Sequence, residues 1–204
     1  MIALILCDGE PPSSGLLLHH LQQTGLIVCT DGAVGWVCAT GCCPDIVIGD
    51  MDSAGMLPEC EIINSGPHGE QENSDAEKAI LLALERGAER IVVLGATGRR
   101  LDHTLGNMWL IARYHREADL LLIDDFSQMR VISEPYRLSC GPGSMVSLVP
   151  LTSGVTLDTE GLRWPLHGAL EQGTRGLSNE ATAEDVFIDL HSGLLAVITA
   201  TGVA

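Results

Sequence analysis

The sequence predicts an α/β domain with a mostly parallel sheet, followed by an all-β domain that resembles a small sandwich. Up to about residue 130, short apolar runs alternate with segments whose apolar residues recur at helical spacing. After residues 141–143 (Gly-Pro-Gly), short alternating runs are separated by glycine, asparagine and serine, and no convincing helix follows. The chain has 204 residues, of which 46% are hydrophobic. This composition indicates one large or two small globular domains and excludes a disordered chain.

Six short apolar runs predict the strands of the first domain. They cover residues 2–7, 26–29, 46–49, 61–64, 90–94 and 120–123. Four segments between them predict helices: residues 16–23, 33–40, from Ser74 to Gly87, and 102–115. The third helix is the best defined, because Ser74 and Glu77 form a capping box and Gly87 ends the helix. In the fourth helix, four residues are expected to face the core: Leu105, Met108, Trp109 and Ala112.

Alternating strands and helices predict a parallel sheet with helices on both faces, an arrangement of the Rossmann-like kind. In the second half, strands are expected at residues 145–150, 155–158, 162–166, 185–190 and 194–199. The pair Ser192-Gly193 predicts a hairpin turn. The predicted domains are residues 1–135 and 140–204, with the boundary somewhere within 131–143.

The charge and the cysteines limit the possible classes of function. The formal net charge is −16, which argues against nucleic-acid binding through a general basic surface. The seven cysteines form no CxxC pair and no zinc-like spacing with histidine, so buried free thiols in a reducing cytosol are favoured over a disulfide framework. The chain begins with a strand-like run, and no apolar segment reaches the length of a membrane span. We therefore expect a cytoplasmic protein.

Aspartates follow several of the predicted strands. Asp50 and Asp52 come directly after the third apolar run, Asp8 and Asp31 follow the first two runs, and Asp75 begins a helix. In open α/β sheets, ligands bind at the carboxyl ends of the strands. Two carboxylates at roughly 4 Å in a half-buried cleft repel by about 4 kcal/mol, so a proton or a cation must lie between them. A pair of oxygen donors at a strand end suits Mg²⁺.

An alternative stays open for the stretch at residues 50–53. Asp52 or Ser53 could cap the next helix as part of an Asx turn. A single acid after a strand is usually such a turn or cap residue. Several acids at one sheet edge are harder to explain in that way, because their mutual repulsion requires a cation.

Seven stretches, in chain order, resemble the successive motifs of thiamine pyrophosphokinases. In the first half they are TDGA at 30–33, PDIVIGDMDS at 44–53, SDAEKA at 74–79 and GATGRRLDHTLGN at 95–107. In the second half they are GLRWPL at 161–166, RGLSNE at 175–180 and SGLL at 192–195. Any one motif is a weak signal, whereas the ordered series spans nearly the whole chain. The chain departs from the family at Arg99, where the family has a glycine.

The resemblance implies an enzyme that moves a pyrophosphoryl group from ATP to the hydroxyl of thiamine, giving thiamine diphosphate and AMP. It implies Mg²⁺, an ATP-binding first domain and a thiamine-binding second domain. It also implies a homodimer whose active site lies between the α/β domain of one subunit and the β domain of the other. The alternatives are a magnesium-dependent phosphohydrolase or nucleotidyl transferase, and a non-catalytic protein that binds nucleotide or thiamine.

By position, the resemblance also assigns most of the site residues, whereas the choice of metal ligands and the roles of Arg99, His103 and Trp164 are hypotheses from the chemistry of these residues. The catalytic residues are Asp50, Asp52, Asp75, Arg100 and Asp102, and the metal ligands among them are Asp50, Asp52 and Asp102. The ATP side comprises Asp31, Gln71, Ser74, Arg99 and His103, and the thiamine side comprises Trp164, Ser178 and Asn179. Asp75 or Asp102 could accept the proton of the alcohol, and the sequence does not choose between them.

Simpler interpretations of several assigned residues stay open. His103 could cap or pack at a helix start, and Arg99 could point to solvent. Trp164 could lie at the edge of the core rather than stack on a cationic ring. A turn could explain Ser178 and Asn179.

Overall fold

The computed structural model describes residues 1–52, 57–64 and 73–202. Within these ranges it divides into two compact units, with the division between Asp125 and Phe126. This division comes before the predicted boundary within 131–143. The physical reason is that residues 127–132 form a strand that pairs with residues 195–200 of the second unit. Among the described helices, none combines the length and apolar character needed to cross a bilayer.

The first unit is built on six strands: β1 (Ile2–Leu6), β2 (Leu26–Thr30), β3 (Ile46–Gly49), β4 (Glu61–Asn64), β5 (Arg90–Leu94) and β6 (Asp119–Ile123). They run in the order β6-β5-β1-β2-β3-β4, and every neighbouring pair among them is parallel. Strands β1 to β4 lie side by side in chain order, and β5 and β6 lie on the other side of β1. The direction of strand order therefore reverses between β1 and β5, which is where open parallel sheets bind their ligands.

Four helices accompany this sheet: α1 (Ser14–Leu21), α2 (Val34–Ala39), α3 (Asp75–Glu85) and α4 (Leu101–Tyr114). The central strands are nearly continuous runs of buried apolar residues, as a strand covered on both faces requires. Ser74 caps α3 as predicted, since its hydroxyl accepts the backbone N–H of Glu77 at 3.3 Å. The Glu77 side chain is buried and receives the Tyr114 hydroxyl at 2.6 Å, which connects α3 to the end of α4.

The predicted orientation of α4 is wrong for Leu105 and Trp109 and confirmed for Ala112. Leu105 and Trp109 are 55% and 50% exposed, whereas Leu110, Ile111 and Ala112 are buried. The helix buries residues near its C-terminal end, and an exposed apolar stripe runs along another face. Residues spaced four apart share one helix face, so Leu101, Leu105 and Trp109 together form this exposed stripe.

The second unit is antiparallel throughout. Its strands are β7 (Ser127–Ile132), β8 (Tyr136–Ser139), β9 (Met145–Pro150), β10 (Thr156–Glu160), β11 (His167–Ala169), β12 (Asn179–Glu180), β13 (Asp185–Ser192) and β14 (Leu195–Ala200). They run in two orders, β12-β9-β14-β7 and β11-β10-β13-β8. Buried residues of both sets, such as Leu148 and Ile188, belong to one hydrophobic cluster. The predicted succession of a sheet with helices and then antiparallel strands is therefore confirmed.

Two details of the second unit differ from the expectation. Residues 162–166 do not form a strand, and Leu162 makes only an isolated bridge with Ala181. The turn at Ser192-Gly193 does not close a hairpin, because β13 and β14 pair with different strand sets. The glycine instead lets the chain cross from one sheet to the other over a short distance.

Candidate functional site

The candidate site lies at the carboxyl ends of β1 and β5, where the strand order reverses. The loops that follow these two strands are joined by backbone hydrogen bonds from Gly9 N to Gly95 O at 2.5 Å and from Glu10 N to Thr97 O at 2.7 Å. A side chain at Gly9 would overlap both carbonyl oxygens, so this close approach requires glycine. The two loops therefore form one wall of the site.

A cavity of about 280 Å³ opens beside this wall. It is lined by the loops after β1, β2 and β5 and by the first turns of α3 and α4. Its charged and hydroxyl-bearing lining residues are Asp8, Thr30, Asp31, Ser74, Asp75, Thr97, Arg99, Arg100, His103 and Thr104. Polar groups from five separate segments thus converge on one enclosed volume, which is typical of a ligand site.

Three of the predicted acids converge beside the cavity. Asp31, Asp50 and Asp52 each offer a carboxylate oxygen, and these oxygens lie within 4.8 Å of one another. Asp31 follows β2, and the other two follow β3, its neighbour in the sheet. Among the described residues, no other group of three or more acids, histidines or cysteines converges in this way.

The backbone around Asp31 holds its carboxylate in place. The carboxylate accepts the N–H of Gly32 at 2.6 Å and that of Met51 at 2.9 Å. A side chain at Gly49 would overlap the Asp31 carboxyl group, so the glycine at the end of β3 makes room for it. The residue itself is buried, with 5% of its surface exposed.

The environment shifts the pKa values of Asp31 and Asp50 in opposite directions. Burial raises the pKa of Asp31 above its ordinary value, although its two backbone donors oppose this shift. The backbone N–H of Asp52, 3.2 Å from Asp50 Oδ1, is the main cause that lowers the pKa of Asp50. This contact from residue i to residue i+2 is an Asx turn. An Asx turn made by Asp50 and a convergence of acids are thus both present at residues 50–52. The helix that Asp52 or Ser53 was expected to cap would begin at residues outside the described ranges.

Asp75 and Ser74 reach the same cavity from the start of α3. Asp75 Oδ1 accepts Lys78 Nζ at 2.8 Å, one turn further along the helix. Lys78 therefore brings a positive charge close to the acids. Gln71, which was predicted for the ATP side, lies outside the described residues.

The surroundings of Asp102 differ from the prediction that it binds a metal ion together with Asp50 and Asp52. Its carboxylate is held by the guanidinium of Arg100, with Nε to Oδ1 at 3.1 Å and Nη2 to Oδ2 at 2.5 Å. These bonds lower the pKa of Asp102 to about 2. The structure groups Asp31, not Asp102, with Asp50 and Asp52, because the Asp102 side chain turns towards Arg100 in the first turn of α4. Arg100 and His103 line the cavity as expected.

Sequence reasoning gave no role to Asp8, although it placed Asp8 after the first strand, and it did not identify Asn107. Asp8 lines the cavity and pairs with Arg99, and its place after the first strand was the signal that could have identified it. Asn107 lines the cavity from α4, and its amide donates to Ala96 O at 2.8 Å. This bond ties α4 to the loop after β5.

The residues predicted for the thiamine side lie together in the second unit. The Asn179 side chain is buried, accepts the N–H of Trp164 at 3.1 Å and donates to the carbonyl of Trp164 at 2.7 Å. Asn179 therefore holds the backbone of Trp164, whose ring is half-exposed beside the Arg163 guanidinium. Ser178 adopts a positive φ of 54° and donates its N–H to Ser147 Oγ at 2.9 Å.

Comparison with known protein families gives two matches along the chain. Residues 17–122 match the profile described as "Thiamin pyrophosphokinase, catalytic domain". Residues 134–195 match the profile described as "Thiamin pyrophosphokinase, vitamin B1 binding domain". The first profile alone covers more than half of the chain.

Individual relatives agree with these matches. The chain is 29% identical to thiamine pyrophosphokinase 1 of Arabidopsis thaliana over 76% of its own length and 65% of that protein. It is 30% identical to thiamine pyrophosphokinase 1 of Oryza sativa subsp. japonica over 76% of its own length and 66% of that protein. The matched region thus spans about two thirds of these plant proteins.

Solved structures share the fold. A thiamin pyrophosphokinase from Geobacillus thermodenitrificans superposes with a TM-score of 0.82 at 24% identity, covering 98% of each chain. The thiamin pyrophosphokinase from Candida albicans gives a TM-score of 0.81 at 16% identity, covering 98% of this chain and 90% of that one. At these identities the likeness concerns the fold alone.

Proposed function

The chain belongs to the thiamin pyrophosphokinase family, and from this premise we propose that it transfers a pyrophosphoryl group from ATP to the hydroxyl group of thiamine. The products are thiamine diphosphate and AMP. One observation carries the proposal: three carboxylates converge beside a polar cavity at the point where the strand order of the parallel sheet reverses.

ATP is proposed to occupy this cavity. We interpret the parallel sheet as a Rossmann-like arrangement, in which a nucleotide lies across the carboxyl ends of the strands. The cavity wall offers Arg99, Arg100 and His103 to the phosphates, and Ser74 adds a hydroxyl at the start of α3. These local groups are needed because a chain with a net charge of −16 would otherwise repel a triphosphate.

The donor set fits Mg²⁺. Asp31, Asp50 and Asp52 supply hard oxygen ligands and no sulfur or imidazole, which is the preference of this ion. We assign the metal site to these three residues, so Asp102 is no longer proposed as a ligand. When bound at these residues, Mg²⁺ would neutralise negative charge on the phosphates.

The chain's own side chains would perform the remaining tasks. Arg100 is placed by Asp102 at the N-terminus of α4, where it can stabilise negative charge on the transferred group. Asp102 is a poor proton acceptor because Arg100 keeps its pKa at about 2. We assign the proton of the attacking alcohol to Asp75, which lines the cavity. Lys78 contacts Oδ1 of Asp75, whereas Arg100 holds both carboxylate oxygens of Asp102.

The second unit is proposed to bind thiamine. The half-exposed Trp164 ring offers a flat surface on which a cationic heterocycle can stack. Asn179 acts through Trp164 by fixing its backbone. Ser178 is proposed to lie beside the bound ring as part of the same loop.

A homodimer with the active site between subunits is also proposed. The exposed stripe of Leu101, Leu105 and Trp109 supports it, because monomeric proteins rarely leave three large apolar residues together on one helix face. A cytoplasmic location is proposed as well. All seven cysteines are free, which is the usual state in a reducing compartment.

Incubation of the purified chain with ATP, Mg²⁺ and thiamine tests the proposed reaction. The expected result is AMP and thiamine diphosphate in equal amounts, formed only when thiamine is present. Release of phosphate without thiamine would instead indicate a hydrolase. Binding of both ligands without turnover would indicate a non-catalytic binding protein.

A further inference from the structure

An ion pair between Asp8 and Arg99 forms part of the cavity wall. Asp8 follows β1 and Arg99 follows β5, and these strands are neighbours in the sheet. Arg99 Nη1 donates to Asp8 Oδ1, and both residues line the cavity. The pair thus lies at the reversal of strand order, where a nucleotide's phosphates are expected.

The backbone brings these two side chains together. The hydrogen bonds from Gly9 to Gly95 and from Glu10 to Thr97 join the two loops that carry the pair. The Asp8 carboxylate also lies against the backbone of Gly32, the residue that follows Asp31 of the acidic cluster. The ion pair of Asp8 and Arg99 therefore connects the loop after β5 to the surroundings of the acidic cluster.

We propose that Arg99 binds the phosphate chain of the nucleotide and that Asp8 is the internal anion that the phosphates replace. The inference rests on the proposed ATP site. In the structure, each arginine of the cavity wall is paired with a carboxylate: Arg99 with Asp8 and Arg100 with Asp102. An incoming polyphosphate must therefore exchange partners with Asp8 to reach the Arg99 guanidinium.

Exposure and charge favour this exchange. The side chains of Arg99 and Asp8 are 49% and 47% exposed, and ion pairs this accessible contribute little to stability. A guanidinium forms strong, bidentate hydrogen bonds with a phosphate group. The phosphate chain also carries a larger negative charge than the carboxylate of Asp8. After the exchange, the carboxylate of Asp8 remains close to the phosphates and repels them. Asp8 therefore lowers the affinity for nucleotide in two ways, by occupying Arg99 and by its own charge.

A double-mutant cycle separates these two effects. The variants are Arg99→Gln, Asp8→Asn and the double variant, and calorimetry measures binding of ATP, inorganic tripolyphosphate and adenosine in the absence of thiamine. We expect Arg99→Gln to weaken ATP and tripolyphosphate binding about tenfold, the usual loss for one charge-assisted contact, and to leave adenosine unchanged. We expect Asp8→Asn to strengthen ATP binding several-fold, and by clearly less when Arg99 is already Gln.

Two further variants serve as controls. Arg90 and Asp119 form a comparable exposed ion pair at the other end of β5, with Nε to Oδ2 at 2.8 Å, so Arg90→Gln should leave nucleotide binding unchanged. Arg99→Lys keeps the charge but loses the planar fork and should recover part of the affinity. Thermal unfolding of every variant shows whether a change in binding reflects a change in folding.

Several results would overturn the inference. One is an unchanged affinity of Arg99→Gln for tripolyphosphate. Another is that Asp8→Asn raises the affinity for ATP equally in the original chain and in Arg99→Gln, which would mean that Asp8 acts through its charge alone. Failure of the original chain to bind ATP or tripolyphosphate would overturn it too. If ATP binds as expected but thiamine is not converted, the proposed transferase reaction fails while the role of Arg99 stands.

Discussion

Asp52 provides the most direct test of the acidic cluster at the level of single residues. It is exposed on the loop after β3, so Asp52→Asn should fold normally. Removing one of three carboxylates weakens a magnesium site, and we expect turnover to fall by about 10²-fold, in line with the loss of one electrostatic contact to a reacting group. Part of the loss should be recovered at high Mg²⁺, because the remaining ligands still bind the ion.

A magnesium titration of initial rates measures this effect. Asp189→Asn is the matched control, because Asp189 is an exposed acid of the second unit and should be neutral. Rates of Asp52→Asn that match the original chain at every Mg²⁺ concentration would rule out the proposed metal site.

Asp102 provides a pH test at the same scale. Arg100 lowers the pKa of Asp102 from 3.8 to about 2. A lowered pKa favours the folded state above pH 3.8, and this contribution is lost as the pH falls from 3.8 towards 2. We expect the Asp102 carboxyl signal in carbon-13 NMR to titrate near pH 2, and at a clearly higher pH in Arg100→Gln, where the backbone N–H of His103 still lowers the pKa of Asp102. Because the carboxylate stays ionised above pH 4, the acid limb of the activity profile should not report Asp102.

A midpoint near 3.8 in the original chain would contradict the observed pairing. Asp125 offers a comparison within the same spectrum, since its carboxylate accepts the backbone N–H of Ser13. Its signal should be insensitive to the Arg100→Gln change.

Single residues also show which parts of the candidate site could be predicted from the sequence. Asp31, Asp50 and Asp52 could be placed together because each follows a strand of a parallel sheet, and such strands end at one edge. The pairing of Asp102 with Arg100 could not be foreseen, since it depends on side-chain rotation within one helical turn. Asp8 carried the same positional signal as the other acids, but its partner Arg99 lies 91 residues away in sequence.

At the scale of elements, a mutation can test whether the close contact between the loops after β1 and β5 is needed for stability and for ATP binding. Gly9→Ala would push a methyl group into the carbonyl oxygens of Gly95 and Thr97. Forcing the loops apart should cost about 1–3 kcal/mol, the usual penalty for overpacking, and should weaken ATP binding as well. Chemical denaturation and calorimetry measure the two effects.

Gly106→Ala is the matched control. Gly106 lies inside α4, and an added methyl group would meet nothing within 4 Å. Because glycine disfavours helices, this variant should be about 0.5–1 kcal/mol more stable than the original chain. If Gly9→Ala were as stable as the original chain and bound ATP equally well, the loops would not need their close contact.

Elements differ in how well their sequence defines them. The central strands of the first unit were predictable because strands buried on both faces are continuous apolar runs. The orientation of α4 was not, since apolar residues occupy more than one of its faces and only tertiary packing selects the buried one. Strand β7 was not predicted for a similar reason. Its partner β14 is about seventy residues away in sequence, and such long-range pairing leaves no local signal.

At the scale of the whole molecule, the proposed dimer makes the active site a shared property of two chains. The exposed stripe on α4 predicts that Trp109→Glu weakens association, because a buried charge at an apolar interface is costly. Light scattering after size exclusion measures the mass. Leu18→Glu is the control, since Leu18 is an exposed leucine on α1. Equal masses for Trp109→Glu and the original chain would exclude this helix as the interface.

Mixing two inactive variants tests whether the site is shared between subunits. Asp52→Asn impairs the first unit by about 10²-fold and Trp164→Ala disables the second, so both homodimers should be nearly inactive. If each site combines the first unit of one chain with the second unit of the other, a mixed dimer contains one intact site. With random exchange, half of the dimers are mixed, and each has one working site of two. We therefore expect about a quarter of the original activity, as two-fold symmetry requires.

The mixture must be unfolded and refolded together so that subunits exchange, and the separately refolded variants, combined afterwards, serve as the control. Activity that appears only in the co-refolded sample supports a site built from two chains. If that sample stays inactive while mass measurements show mixed dimers, each site must lie within a single chain. The acidic cluster of the first unit would then have to reach thiamine bound by its own second unit.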